Sequence, residues 1–308
     1  MRAHYYLRIL PNGAWGGVWE IGQTTARNID AVSAELPGSY FKAEPGETVW
    51  QAIKRGADSW NESDFHKIDL RPGEYHPRIA RPIDPHPKDF PPGTNPGASV
   101  DSNLIAMARG QLTTLTRQLD RICQTVHPSI DTCVAYGHDI RNLLILACTE
   151  AEMHWRGVLV ANGRPDAKQL GTRDYVLLMP AMKLDEYAVT FLNYPWLDPI
   201  SPYAGWGATG KPTQDLKWYD AYNAAKHNRE REFQRATLRH AFEAVSACLI
   251  MMVAQFGVAG IGQRSELEAF FGFARVPTWD PSKVYIVPRA PHTRDWSPIH
   301  FPFGNAVP

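Results

Sequence analysis

The longest stretch without a charged residue runs from Ala244 to Gln263 and constrains the fold more than any other feature of the sequence. It is about as long as a membrane span, and a helix that is apolar on all sides is buried either in a bilayer or in a protein core. Ser246 and Gln255 interrupt the stretch, however, and glycines crowd its end. We therefore predict a buried helix that ends near Gly257, and no membrane as a partner.

Apolar residues at spacings of three and four predict that this helix has long helical neighbours. Ser102 and Thr213 are suitable N-caps at the starts of two of them. A shorter helix over 173–184 contains Pro180, which would break or kink it. The four long helices are predicted over residues 102–126, 131–161, 213–227 and 229–256. Their number and length predict a mainly α fold with a four-helix bundle core.

The remaining parts of the chain are rich in proline and predict irregular structure. A strand over residues 4–10 and a helix over 46–58 precede a linker at 71–96, which holds eight of the 25 prolines. A strand at 187–193, followed by an aromatic loop to residue 212, forms a small β insertion. Near the C-terminus, only the run from Val284 to Val287 resembles a strand.

We accordingly expect Pro-rich irregular arms on both sides of the bundle. The predicted domains are a small irregular or α+β N-terminal region over 1–100, a helical bundle over 101–265 and a Pro-rich C-terminal arm over 266–308.

Composition limits the partners and the compartment. The chain has 32 basic and 32 acidic side chains and a formal net charge of +0, so no global field attracts nucleic acid or anionic lipid. Any such binding must be local. The four cysteines make no disulfide framework, and the first residues lack the apolar stretch of a secretory signal. We expect a cytoplasmic protein with reduced thiols.

The most distinctive polar segment reads Trp-Tyr-Asp-Ala-Tyr-Asn-Ala-Ala-Lys-His-Asn-Arg and starts at Trp218. Its core, Tyr222-Asn223-x-x-Lys226-His227-x-Arg229, lies in a predicted late helix of an all-α bundle. In this it resembles the HEPN-like helical domains, over roughly residues 102 to 260. The resemblance implies interaction with RNA or nucleotides, paired active sites in a homodimer, and metal-independent RNA cleavage by an Arg and a His separated by four to six residues.

The sequence departs from the family pattern at the expected place. The positions that would hold the arginine before His227 are Tyr222, Ala221 and Asp220. Two replacements remain open: the pair Arg235-x4-His240, and His227 acting with Arg141 or Arg231. A histidine can take the 2′-hydroxyl proton and an arginine can hold the phosphorane charge, which is the chemistry of RNA cleavage without a metal.

Two functional hypotheses follow. In the first, the protein interacts with RNA or nucleotides and belongs to the defence, toxin or RNA-processing type; if it is an enzyme, it is a metal-independent ribonuclease without a cofactor. Its catalytic candidates are His227, Arg231, Arg235 and His240, and its binding candidates are Trp218, Tyr222, Asn223, Lys226 and Arg141. The basic side chains can contact phosphates while the rings stack on bases. In the alternative, the protein is a non-catalytic binding or scaffold protein and this segment is structural.

Two further patterns carry weaker hypotheses. Glu150 and His154 lie one turn apart on one helix face. Three roles are open for them: an acid–base pair, two ligands of a metal, or contacts between helices. The run from Gly205 to Lys211 fits the spacing of a phosphate-binding loop, but Pro212 stands where that loop needs a serine or threonine. We therefore predict no nucleotide site at this loop.

Overall fold

We analysed a computed structural model of the full chain, which describes residues 3–31, 33, 36–83, 93–165, 170–289 and 295–304. Of these residues, 46% lie in helices and 16% in strands or bridges. The chain divides into two compact units. The described parts of Met1–Tyr75, Arg81–Pro91 and Thr278–Pro298 form the sheet unit, and those of His76–Ala80, Pro92–Pro277 and Ile299–Pro308 form the helical unit. Each unit joins segments that are distant in sequence, whereas the sequence suggested contiguous domains.

The sheet unit is built on a five-stranded sheet in which every neighbouring pair is antiparallel. Its strands are β1 (His4–Ile9), β2 (Trp15–Ile21), β3 (Thr25–Asn28), β4 (Tyr40–Lys42) and β5 (Phe65–Lys67), in the order β4-β3-β2-β1-β5. The helix α1 (Val49–Gly56) begins at Thr48, which forms a capping box with Gln51. The apolar side of α1 packs on the sheet face that carries Trp19, Phe41 and Phe65.

The second face of this sheet packs against the proline-rich chain of the same unit. Leu7, Val18 and Ile68 form one cluster with Val284 and Ile286. The predicted strand-like run at Val284 thus supplies buried side chains, but its backbone forms no regular strand: it makes an isolated parallel bridge between Ile83 and Tyr285, and the carbonyl of Ile286 accepts from the amide of Gly73. The short strands β6 (Glu74–Tyr75) and β9 (Ser297–Pro298) pair in parallel nearby. Residues 84–92 of the predicted linker lie outside the described residues.

The helical unit is organised around one buried helix, as the uncharged stretch predicted. This helix, α9 (Leu238–Phe256), is capped by Thr237, is buried on every side from Ala244 onward and ends at Gly257. It packs against the long helices α2 (Ser102–Thr125) and α3 (His138–Ala161) and against α7 (Lys217–His227). The shorter helices are α4 (Thr172–Tyr175), α5 (Leu178–Met182), α6 (Pro212–Asp215), α8 (Arg229–Glu232) and α10 (Glu266–Phe270).

Four predicted helices are shorter or interrupted. The second long helix begins at His138 rather than at residue 131, because a 3-10 turn over Thr132–Val134 precedes it. The helix expected over 229–256 is broken, since Thr237 takes extended backbone angles to cap α9. Leu216 likewise separates α6 from α7, and the predicted helix over 173–184 is divided into α4 and α5.

The predicted fold class is wrong: the chain is a mixed α/β protein rather than a mainly α four-helix bundle with irregular arms. The β content goes well beyond a small insertion, because β1 to β5 form a sheet of their own. The core of the helical unit also contains β7 (Ala188–Phe191), paired antiparallel with β8 (Phe271–Arg275). The strand predicted at 187–193 is confirmed by β7. Among the described residues, no helix is both long and apolar enough to cross a membrane.

The aromatic loop after β7 belongs to the core of the helical unit. The rings of Tyr203 and Trp206 pack against Trp155 of α3, with ring centroids 6.3 and 5.0 Å apart. The indole nitrogen of Trp155 donates to the Tyr203 hydroxyl at 3.1 Å. A loop of this length without regular structure is held by its own rings, which explains its aromatic and glycine content.

Candidate functional site

The aromatic residues of the motif segment, defined here as residues 218–240, lie in the core. Trp218 is 1% exposed and its indole nitrogen donates to the carbonyl of Pro202 at 2.9 Å. Tyr222 is 2% exposed and packs against Tyr219, whose hydroxyl donates to the Glu152 carboxylate at 2.7 Å. Neither predicted stacking ring reaches the surface. Their role in the structure is to attach α7 to α3 and to the aromatic loop.

The polar residues of α7 are partly engaged within their own helix. The Lys226 ammonium donates to the Tyr222 hydroxyl at 2.9 Å, which raises the pKa of Lys226. The Asn223 amide donates to the carbonyl of Tyr219 at 3.2 Å, one turn earlier. Lys226 is nevertheless exposed, as is His227 at the end of the helix. These two side chains are the accessible part of the family-like motif.

The structure brings Arg235 and His240 together, but both side chains are occupied by contacts with other groups of the motif segment. The Arg235 guanidinium forms an ion pair with Asp220 at 2.5 Å and lies 3.6 Å from Glu232. The ring nitrogen Nδ1 of His240 lies 2.7 Å from the carbonyl oxygen of Arg235 and donates to it. The guanidinium is therefore held by two carboxylates, while the histidine ring contacts the arginine backbone.

The other predicted pairing involves Arg141 of α3. Its guanidinium donates to the carbonyl of Ala225 at 3.2 and 3.4 Å, in the last turn of α7. A cation at a helix C-terminus satisfies a free carbonyl and interacts favourably with the helix dipole. Arg141 thus contacts α7 at Ala225, two residues before His227. Arg231, in contrast, is exposed and has no ion pair within the described residues.

Near this segment, a cavity of about 670 Å³ opens at the start of α3. Tyr136, His138 and Arg121 line it, and the ring of Phe233 packs against the first two of these. Arg117, also in its wall, is paired with Glu266 at 2.6 Å. The cavity combines exposed rings with Arg121, a cation that has no ion pair within the part of the chain that the structure describes.

A second cavity, of about 460 Å³, differs in having buried polar groups at its base. We call it the Arg78 groove. Residues of α2 and α3 form its walls, and its rim is apolar: Met107 is 76% and Met153 66% exposed. Among the residues that line the groove are Arg78, Leu104, Met107, Glu150, Met153 and His154.

Gln255, fully buried in α9, organises the base of the Arg78 groove. Its carbonyl oxygen accepts from Nε of Arg78 at 2.8 Å, and its amide nitrogen donates to the carbonyl of Met251 at 2.8 Å. Because a guanidinium only donates and a backbone carbonyl only accepts, these two bonds fix the orientation of the amide. The amide nitrogen therefore donates its second hydrogen to Nδ1 of His154, 3.0 Å away.

This bond determines the state of His154, which is 4% exposed. Since Nδ1 accepts, the ring is neutral and carries its proton on Nε2. That nitrogen lies 3.3 Å from a carboxylate oxygen of Glu150, whose side chain is 14% exposed. The predicted contact between Glu150 and His154 is confirmed. No cluster of three or more metal-ligand side chains occurs among the described residues.

Arg78 holds an unusual position for a charged residue. Burial lowers its pKa to about 10, so the guanidinium remains charged at neutral pH. No carboxylate within the described part of the chain lies within ion-pair distance of it, and the ring of Phe256 lies 5.8 Å away. The guanidinium lies against Gly157 of α3, where an added Cβ would come within 2.7 Å of Cζ and 2.8 Å of one Nη. An alanine there would require the guanidinium to shift.

The backbone around Arg78 is fixed from several sides. Arg78 has a φ of 56°, a strained conformation for a residue with a side chain. The Asn95 amide donates to the carbonyls of His76 and Ile79 at 2.9 Å each, and the Asn162 amide donates to that of Pro77 at 2.8 Å. Strain of this kind persists only where the surroundings over-determine it, which is common at ligand sites.

Sequence reasoning placed Arg78 in a linker and gave it no role. Two signals nevertheless pointed to the groove: the polar Gln255 within the uncharged stretch, and the isolated Gly157 within a long helix. At the phosphate-loop-like run, by contrast, the Asp215 carboxylate accepts from the amide of Gly207 at 2.9 Å and from the Thr209 hydroxyl. These two donors of the turn are therefore bonded to Asp215 and do not point to a phosphate site.

Comparison with known proteins adds no name to these sites. No family model matches the chain, and no curated protein or solved structure is detectably similar to it. The resemblance of the motif segment to HEPN-like domains stays a prediction, and the function has to be argued from the geometry of the sites.

Proposed function

We propose that the helical unit binds a small organic anion, a carboxylate or a phosphate ester, in the Arg78 groove. The observation that carries this proposal is the Arg78 guanidinium, charged and largely buried, with no carboxylate partner within the described residues. Its Nε is held by Gln255, and its remaining nitrogens border the groove.

Burial of an unpaired charge is costly unless a partner or a ligand compensates it. An arginine fork matches the two oxygens of a carboxylate or a phosphate and binds them with parallel, charge-assisted hydrogen bonds. Arg156 also lines the groove. An anion bound at Arg78 would therefore recover the free energy that burial of this cation costs.

The walls of the groove favour a ligand with an apolar body. Leu104, Met107 and Met153 present aliphatic and thioether surface at its rim. Methionine side chains adapt their shape to different apolar partners. The volume of about 460 Å³ suits a small molecule, since ligand sites usually measure from about 300 to 1,000 Å³.

The test is titration calorimetry of the purified chain with octanoate and with octyl phosphate, which separates the two sources of negative charge. We expect at least one of them to bind the wild type. The variant Arg78→Met should weaken that binding by about tenfold or more, and Arg78→Lys by less, since it keeps the charge but loses the fork. The control Arg121→Met alters the other cavity and should bind normally. Equal binding by wild type and Arg78→Met would reject the proposal.

We infer a second candidate function, interaction with RNA by a HEPN-like homodimer in the cytoplasm. It is favoured by one observation: Lys226, His227 and Arg231 are exposed together at the end of α7 and in α8. Exposed basic side chains suit contacts to the phosphates of a single strand. RNA cleavage and filter binding in EDTA, at two salt concentrations, test it with His227→Ala and His240→Ala. If the wild type shows no cleavage and no salt-dependent binding, this candidate is rejected.

A further inference from the structure

The Arg78 groove contains a negative charge as well as a positive one. Glu150, His154 and Gly157 lie on one face of α3, at intervals of four and three residues. Arg78 lies against the last of them and Glu150 is the first, and these two positions on α3 are about 10 Å apart along the helix axis, at a rise of about 1.5 Å per residue. They line the same groove without pairing with each other.

Glu150 is not neutralised by its neighbours. The only contact of its carboxylate in the described part of the chain is with His154, and the bond from Gln255 to Nδ1 keeps that ring neutral. A carboxylate accepts about four hydrogen bonds, and the Glu150 carboxylate accepts none within the described residues. A half-buried carboxylate of this kind is stabilised by a cation or by several donors.

Resting on the function proposed above, we propose that the ligand of the Arg78 groove is a zwitterion, with an anionic group on Arg78 and an ammonium group on Glu150. The two ligand charges are about 10 Å apart, and the chain between them is apolar. Such a molecule pairs both charges of the groove at once, and its apolar middle lies between Met107 of α2 and Met153 of α3.

His154 lies between the two ends of this site on α3, and its Nε2 is 3.3 Å from a carboxylate oxygen of Glu150. Its second nitrogen is bonded to Gln255, which in turn holds Nε of Arg78. Hydrogen bonds therefore connect His154 to Arg78, and the position of the guanidinium is fixed before any ligand binds.

The experiment compares three probes of one chain length on the full-length protein by calorimetry: 8-aminooctanoate, octanoate and octylamine. We expect 8-aminooctanoate to bind at least about tenfold more tightly than either singly charged probe. A series from 4-aminobutanoate to 12-aminododecanoate should show an affinity maximum at intermediate length, because only a matched chain reaches both charges. An affinity that rises steadily with chain length would overturn the proposal, since it would report apolar burial alone.

Variants separate this proposal from the one on which it rests. Glu150→Gln keeps the shape of the side chain and should reduce 8-aminooctanoate binding to the level of octanoate, while octanoate binding changes by less than about twofold. Glu150→Asp, with the charge retained, should keep part of the difference. The control Glu230→Gln, an exposed residue of α8, should change neither. Melting curves of each variant confirm that it is folded.

The outcomes are distinguishable. If Arg78→Met abolishes octanoate binding while Glu150→Gln leaves all probes unchanged, the groove binds anions and the zwitterion proposal fails. If no probe binds the wild type, both proposals fail. If 8-aminooctanoate loses its advantage only in the Glu150 and Arg78 variants, both hold.

Discussion

The motif segment and the Arg78 groove are two polar regions of the same unit, and they treat their charged residues differently. In the motif segment, Arg235 is paired with Asp220, and His240 donates to the Arg235 carbonyl. In the groove, Arg78 and Glu150 come from parts of the chain far apart in sequence, and within the described residues neither is within ion-pair distance of a fully charged partner.

This difference shows which polar groups still have hydrogen bonds or charges to offer a ligand. Polar residues that are close in sequence readily satisfy each other, as Lys226 does with Tyr222. Such bonds contribute modestly to stability and leave little for a ligand. Buried polar groups without partners are rare in native proteins, and each one calls for an explanation. A buried charge without an ion-pair partner therefore indicates a ligand-binding site more directly than a conspicuous sequence motif does.

The largest expected effect is on the free energy of unfolding when Gln255 is replaced. Gln255→Leu leaves Nε of Arg78 and Nδ1 of His154 without their partner while both stay buried, which should cost about 2–4 kcal/mol. Asn223→Leu in the motif segment should cost less than about 1 kcal/mol, because Asn223 bonds only to its own helix. Urea unfolding measures both. A larger loss for Asn223→Leu would reverse the comparison.

The next effect concerns two helical glycines with different surroundings. Gly110→Ala in α2 should stabilise the protein by about 0.5–1 kcal/mol, because nothing lies within 4 Å of the added Cβ. Gly157→Ala should instead destabilise it, since the new methyl group overlaps the Arg78 guanidinium.

Thermal melting of the two glycine variants should therefore show shifts of opposite sign. Adding Arg78→Ala to Gly157→Ala should remove the conflict and recover stability, in a double-mutant cycle. Equal shifts for the two single variants would show that the guanidinium does not lie against α3.

A smaller effect separates the two histidines of the motif segment. His240→Ala removes the bond to the Arg235 carbonyl and should cost about 1 kcal/mol. His227→Ala should stay within about 0.5 kcal/mol, because this side chain is exposed. Chemical denaturation at neutral pH provides the measurement, and a destabilising His227→Ala would mean that this residue also has a structural partner.

The smallest effect tests the ion pair of Arg235. Arg235→Met should cost roughly 0.5 kcal/mol at low salt and less at high salt, because the pair with Asp220 is partly exposed and is screened. Arg231→Met, without an ion pair in the described chain, should change stability at neither salt concentration. A salt-independent loss in Arg235→Met would instead indicate a role in packing.

The helices were predictable because each carries its own signal. The stripe from Leu104 to Ile122 and the uncharged stretch from Ala244 have the periodicity or composition of buried helices, and α2 and α9 lie where they indicated. In the sheet unit, the strand predicted over 4–10 and the helix over 46–58 are confirmed by β1 and α1, but the other strands were not predicted. Strands of three or four residues, such as β4 and β5, are too short for a pattern to appear, and their partners lie far along the chain.

The site was predictable only in part. The contact between Glu150 and His154 follows from helical spacing alone, since residues four apart share a face. Arg78 and Gln255 are 177 residues apart, and no local pattern connects them. Proline content indicated an extended chain around Arg78, but the direction of its side chain depends on the bonds that Asn95 and Asn162 make to the neighbouring backbone.

By itself, the sequence determined which segments become helices and which residues those helices bury, because periodicity and capping act over a few residues. Only the tertiary structure decided that Arg235 would be neutralised and that Arg78 would not. The physical reason is that charge pairing depends on distances of a few ångströms between atoms, and packing sets those distances for residues that the sequence keeps far apart.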